Sequence, residues 1–212
     1  MTDHEKGGLR LTGADVNQVG QEFTAILGRM WGLFGWLVLV AVARVPVDAQ
    51  APAALVVTST SLKANETIPA DYTADGRNIS PALQWSGAPT ATKEFAVICD
   101  DPDAPMAQPF VHWVIYKIPG TAKGLPENVP IDPGIPMPAG IAGTVQGLNG
   151  FKRAMYRGPA PPAGKPHGYH FVVYALDAPL DLRPNLTRAE LLEAIKGHVI
   201  GQGEIVPVYE RK

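Results

Sequence analysis

The chain has 212 residues, 46% of them hydrophobic and 18% charged, which is enough for a real core and excludes wholesale disorder. With 22 Gly and 21 Pro it must be rich in turns, which favours β architecture with long connections over a helical bundle. A formal net charge of −2 without a basic cluster excludes nucleic acid as a main partner, and the single Cys99 allows no disulfide within the chain.

Residues 1–29 read as a disordered extension or as sequence upstream of the true start. Met30–Ala43 is an uncharged apolar run flanked by Arg29 and Arg44; at 14 residues it is shorter than a bilayer span of ~20 and fits a signal-peptide hydrophobic region. Val47-Asp48-Ala49 offers small residues for cleavage after Ala49, so 30–49 is read as the signal segment. An uncleaved anchor lengthened by Phe23–Leu27 is the alternative, a helix buried in the domain is a third reading, and Met30 is open as the translation start. An Ala/Pro linker, 50–55, then leads to a domain over 56–212.

Within that domain Val56–Leu62 is a first strand and 65–80 is rich in turns. There Asp75-Gly76-Arg77-Asn78 puts glycine where a positive φ is cheap, and a structural and a functional role stay equally open. Leu83–Trp85 is a short strand. Lys93–Asp100 and Phe110–Ile118 are strands on either side of Asp101-Pro102-Asp103-Ala104-Pro105, whose prolines cannot donate to a ladder and so belong at a sheet rim. Alternation puts His112 on one face with Phe110, Val114 and Tyr116.

Pro119–Val145 is a long Gly/Pro connection, too long to be idle in a compact domain. The Gly/Pro loop Tyr156–Tyr169 leads into a central strand, His170–Leu176, with His167 on the loop shoulder. Thr187-Arg188-Ala189-Glu190 is a capping box that opens a helix of about ten residues, with Leu191, Leu192, Ile195 and Val199 at helical spacing and Gly197 as terminator. Gly203–Tyr209 is a last strand, and Pro207 argues for an edge. His4, His170 and His198 read as structural, His198 facing the negative end of the helix dipole.

Taken in order, the Asp75–Pro81 segment with Trp85, the Asp101–Pro105 turn with His112, the Tyr156–Tyr169 loop, and Ala194–Val199 with Gly201–Glu204 resemble the phosphatidylethanolamine-binding protein family, also called Raf kinase inhibitor-like proteins. The likeness runs from Val56 to Arg211 and is greatest to the compact bacterial branch. It implies a mainly β fold, an antiparallel β-sandwich with Greek-key connections and one or two short peripheral helices. It also implies a ligand pocket built from Asp101, His112, Pro161, Pro162, His167 and Tyr169, with Asp103 supporting the loop and Phe110 as an aromatic wall.

Such a set suits a small anionic ligand such as phosphoethanolamine. Imidazole N–H and tyrosine O–H donate to phosphate oxygens, and Asp101 can fix a histidine's tautomer and favour its cation. Affinity would then fall as pH rises through a value near ~6.5, raised somewhat by Asp101. The chain departs from many relatives in having Asn149-Gly150 for Asn-Asp and His167-Gly168-Tyr169 for His-Arg-Tyr, which removes an ion pair expected beside the pocket.

The leading reading is an exported binding module, periplasmic or secreted, that holds an anionic headgroup and regulates a partner enzyme; kinase or protease inhibition is implied by the resemblance alone. The rival is a metal-assisted phosphoester hydrolase using Asp101, Asp103, His112 and His167, against which stand the missing HExxH spacing and the lack of a serine or cysteine nucleophile in the motifs. A structural protein with a vestigial pocket is the third. No catalytic residue, metal or cofactor is assigned, and a homodimer is left open. N-terminal sequencing of the exported protein should find Gln50 as the first residue; an intact Met30–Ala43 segment in the membrane fraction would favour the anchor instead.

Overall fold

The computed structural model describes residues 51–132 and 134–212; the expected signal segment, its cleavage point and the extension before it lie outside the described residues. Eleven strands and one α-helix follow in order: β1 (Ala53–Ala54), β2 (Val56–Thr58), β3 (Leu83–Ser86), β4 (Glu94–Asp101), β5 (Phe110–Pro119), β6 (Gly124–Leu125), β7 (Val145–Gln146), β8 (His167–Gly168), β9 (His170–Leu176), α1 (Arg188–Ala194), β10 (Val199–Ile205) and β11 (Val208–Tyr209). A six-stranded sheet runs β1-β10-β9-β4-β5-β7, a three-stranded sheet β2-β3-β6, and β8 pairs with β11. The fold is mainly β, as the composition and the resemblance both lead one to expect.

β4 is the spine. It runs antiparallel to β5 on one side and β9 on the other, and it is buried on both faces. Phe95, Val97 and Cys99 meet Trp113, Phe171 and Val173 in a cluster completed by Leu83, Trp85 and Leu125 of the three-stranded sheet. Ala96 and Ile98 point the other way, to Val114, Tyr116, Leu191 of the helix and Ile195 just after it. Each fully buried large apolar side chain contributes ~1.5–3 kcal/mol, so the two clusters fix the sheet between its coverings. Cys99 is buried, in keeping with a small core hydrophobe.

Strict alternation fails in β5, and the failure decides where His112 goes. Cys99 is opposite Trp113 but Asp100 is opposite Val111, so His112 is an extra residue, a β-bulge. Trp113 and Ile115 face the cluster shared with the small sheet, while Val114 and Tyr116 face the helix. Across the bulge the phase inverts: Val111 packs on the helix side, and His112 sits edge-on to Tyr169 on the other face, their ring centroids 5.1 Å apart. His112 therefore does not share a face with Val114 and Tyr116, as unbroken alternation would require. A second register shift follows between Val97 and Phe95, where Lys117 takes φ 56° and Ile118 returns to the first cluster.

Other boundaries differ for physical reasons. Ala53–Ala54, inside the expected linker, pairs in parallel with Gly201–Gln202, and Leu55 after it is buried. The capping box forms as expected, Thr187 accepting from the Glu190 amide and Glu190 reaching back, but the helix ends at Ala194 and Gly197 takes φ 83°. Val199 thus opens a strand instead of closing a helix. That strand is flanked by β1 and β9, and Pro207 falls in the break between β10 and β11. His198 follows the helix end, where its amide donates to the Ile195 carbonyl at 2.9 Å, while its ring bonds Asp177 through Nδ1 at 2.9 Å.

Because Leu191 is fully buried on the helix face of the sheet, Leu191→Ala should destabilise by ~2–5 kcal/mol in urea unfolding. It should leave ligand affinity unchanged, because the site described below lies on the opposite face.

Candidate functional site

The carboxyl end of β4 delivers two neighbouring aspartates to opposite sides. Asp100 turns to the helix, where Arg188 Nε donates to it at 2.6 Å. Asp101 turns inward and is almost fully buried. Its Oδ1 accepts from the amides of Asp103 (2.9 Å) and Ala104 (3.1 Å), which closes the Pro-rich turn on itself. Its Oδ2 accepts from His167 Nδ1 at 2.8 Å. Asp103 points away from the cavity and accepts from the Gly168 amide at 2.8 Å. The two aspartates of the motif thus bind the acidic turn to β8 by a side chain and a backbone group in succession.

These bonds line a cavity of about 240 Å³ whose walls include Pro105, Met106, Phe110, Phe151, Pro161 and Pro162. Every residue expected in the pocket borders it except Asp103, which acts behind it. Phe110 is edge-on to both His112 and Phe151, with centroids 5.1 and 5.2 Å away. Gly150 makes room for that ring: a Cβ there would stand 2.6 Å from Phe110. A larger groove of about 610 Å³ lies over Leu83–Ser86 and Lys123–Pro126, but its polar side chains Thr58, Gln84, Ser86 and Lys123 make no hydrogen bond among the described residues. Of these two, the smaller cavity has polar groups locked in place, which is what a selective site requires.

Both imidazoles are oriented by Nδ1. His112 Nδ1 lies 2.6 Å from the Arg157 carbonyl, and a carbonyl can only accept, so the proton is on Nδ1. The same logic at Asp101 puts the proton of His167 on Nδ1. In each ring Nε2 is the uncommitted nitrogen. In neutral His112 that atom is a lone pair, an acceptor and not the donor expected from the sequence. Burial pushes the His112 imidazole below its ordinary value, outweighing the Arg157 carbonyl and the Asp101 charge that pull the other way. Tyr169 is the reverse case: burial above all, then the Asp101 charge, pushes its hydroxyl well up, so it stays a donor. That hydroxyl is buried and without a partner among the described residues.

His167 is not on a loop shoulder. It is buried, and its backbone belongs to β8, opposite Tyr209. The segment 70–78 buttresses the Gly/Pro loop from behind. Gly158 N donates to Asn78 Oδ1 (2.8 Å), Tyr156 Oη to the Tyr72 carbonyl (2.6 Å) and Ala74 N to the Pro159 carbonyl (2.9 Å). Asn78, not Gly76, carries the positive φ of 58°. Gly76 is needed for close approach, because a Cβ there would lie 2.1 Å from the Ala70 carbonyl oxygen. The structural role of Asp75–Asn78 is therefore the one seen.

The sequence reading missed Arg157, Met106 and Phe151, all of which border the cavity. Met106 and Phe151 are exposed large apolar side chains, a signal visible only once burial is known. Arg157 had a signal, as the single charge between Tyr156 and Gly164.

The family model described as phosphatidylethanolamine-binding protein matches residues 58–210. A UPF0098 protein of Methanothermobacter thermautotrophicus is 48% identical over 144 residues, 68% of this chain and 91% of the relative. The UPF0098 protein YbcL of Escherichia coli is 38% identical over 185 residues, 83% of this chain and 98% of its own. The crystal structure of E. coli YbcL, described as a new member of the mammalian PEBP family, superposes with a TM-score of 0.68 at 38% identity, covering 74% of this chain and 99% of that one. A PEBP homolog from Chlamydia trachomatis gives 0.66 at 32% identity, covering 75% and 99%.

Since His167 is the side-chain partner of a buried carboxylate, His167→Ala should destabilise the free protein by ~1–3 kcal/mol, the penalty of an unsatisfied buried group. Urea unfolding with a midpoint equal to wild type would return His167 to the loop-shoulder role.

Proposed function

We propose, on the premise that the chain belongs to the phosphatidylethanolamine-binding protein family, that its cavity receives a small ligand through a phosphate or other anionic group. The observation that carries this reading is the Tyr169 hydroxyl. A buried donor without an acceptor is costly, and such groups persist where a ligand satisfies them. Beside it stand two imidazoles whose orientation is already fixed through Nδ1. Around them the walls are apolar, so a ligand's polar end is read by few groups while its remainder meets Phe110, Phe151 and Met106.

The proposal is binding and not hydrolysis. Asp101 spends both oxygens on holding the turn and His167, and Asp103 is turned to the Gly168 amide. Asp101 is thereby committed to holding the turn and β8, and Asp103 does not border the cavity. We also propose export, from the apolar run Met30–Ala43 followed by small residues.

Glycerophosphoethanolamine tests the reading, because a phosphodiester keeps one negative charge across the histidine range. Neutral His112 presents a lone pair to it, and protonated His112 presents a donor and a charge. Since burial depresses His112 in the free protein, the bound anion must draw a proton onto it. Calorimetric affinity should therefore rise as pH falls through and below about 6.5, and be weaker near pH 8. Tyr169→Phe should lose roughly ten- to hundredfold in affinity without loss of stability, because the hydroxyl it removes has no partner in the free protein. Equal binding by wild type and Tyr169→Phe would overturn the assignment.

A further inference from the structure

The charges that border the cavity do not by themselves welcome an anion. Asp101 is negative, both histidines are tied through Nδ1, and His112 is driven towards its neutral form by burial. Among the described residues the one fixed positive charge that borders it is Arg157. The basic residues nearby in the chain, Lys152, Arg153 and Lys165, are exposed and do not line the cavity.

Three observations define the state of Arg157. Its backbone is clamped to His112 in both directions: its amide donates to the His112 carbonyl at 2.9 Å, and its carbonyl accepts from His112 Nδ1 at 2.6 Å. Its guanidinium carbon lies 5.6 Å from the centroid of Phe151, over the ring at the cavity rim. The guanidinium makes no ion pair among the described residues; the carboxyl of Asp75 is held low first by Arg211 and only last by Arg157. Asp75 is already taken. Arg211 donates to both of its oxygens, through Nε to Oδ2 at 3.0 Å and through Nη2 to Oδ1, and Tyr209 Oη donates to Oδ2 at 3.1 Å. Asp75 is thus paired with Arg211 and not with Arg157.

We propose that Arg157 is the specificity-determining residue of this site, a guanidinium held uncompensated at the cavity rim by Phe151 and by the Asp75–Arg211 pair, which selects ligands whose anionic group lies within its reach. This rests on the reading of the cavity as an anion site. It adds that the charge recognition independent of pH comes from Arg157, while His112 adds a part that depends on protonation. A guanidinium offers a planar donor fork for two oxygens of one phosphate, which an ammonium does not. The titratable groups facing that anion are Asp101, His112, His167 and Tyr169 across the cavity, with Asp75 behind Arg157.

The test is calorimetric titration of glycerophosphoethanolamine into the full chain, wild type, Arg157→Gln and Arg157→Lys, near pH 8 and near pH 5.5, with thermal unfolding of each. Arg157→Gln should unfold close to the wild-type temperature, because the lost group makes no ion pair and gives up only its contact over the exposed Phe151 ring. Near pH 8, where His112 is neutral, it should bind roughly ten- to hundredfold more weakly. Near pH 5.5 the deficit should shrink, as protonated His112 supplies a second charge. Arg157→Lys should fall between the two. Wild-type binding with an unchanged Arg157→Gln affinity near pH 8 would overturn the role of Arg157 and leave the anion site standing. No binding by wild type at either pH would overturn both.

Discussion

Everything at the site hangs on the Asp101 carboxylate. Three donors converge on it: two amides of its own turn and the imidazole of a residue 66 positions later in the chain. The local pair makes the Asp-Pro-Asp-Ala-Pro turn a closed, rigid object, and the distant bond fastens that object to β8. A charge buried this deeply is tolerable only when its hydrogen-bonding capacity is filled. The carboxylate therefore demands the turn conformation and the position of His167 together. Once both are set, Tyr169 two residues on and the prolines of the Gly/Pro loop have little choice about where they stand.

Much of this was legible in the sequence. The two strands around the turn, the capping box at Thr187 and the pairing of Asp101 with an imidazole follow from residue chemistry and short-range pattern. Proline and aspartate restrict the backbone locally, so local rules see them. What was not legible has a common physical character. The bulge at His112 arises from the mismatch between β4 and β5, and no period within β5 announces it. The place of Gly76 is set by a carbonyl several residues away, not by its own φ. The burial of His167 comes from β11, near the far end of the chain. Each is a tertiary demand that overrides a local expectation.

The electrostatics show the same division. From the sequence, an aspartate near two histidines suggests cations. In the fold that aspartate is satisfied by donors, and desolvation governs the buried ring of His112. The site is thus organised less as a cluster of charges than as a dry recess with fixed dipoles. One neutral donor, Tyr169, is left over inside it, and one cation, Arg157, stands at its edge. The hydrogen bonds that orient the imidazoles come at no entropic cost when a ligand arrives, because they already exist in the free protein.

The two irregularities in β5 form a matched pair. The strand enters with Phe110 and His112 on the small-sheet side, runs from Trp113 to Tyr116 in the opposite phase, and recovers the first phase at Ile118 after Lys117. In evolutionary terms each bulge is a self-contained insertion. Removing His112 or Lys117 alone would restore plain alternation and leave Val111, Trp113, Tyr116 and Ile118 in the layers they already occupy. The core would thus tolerate a one-residue change of length at either place. The two places differ in what is lost: at the second a lysine, at the first the ring that borders the cavity.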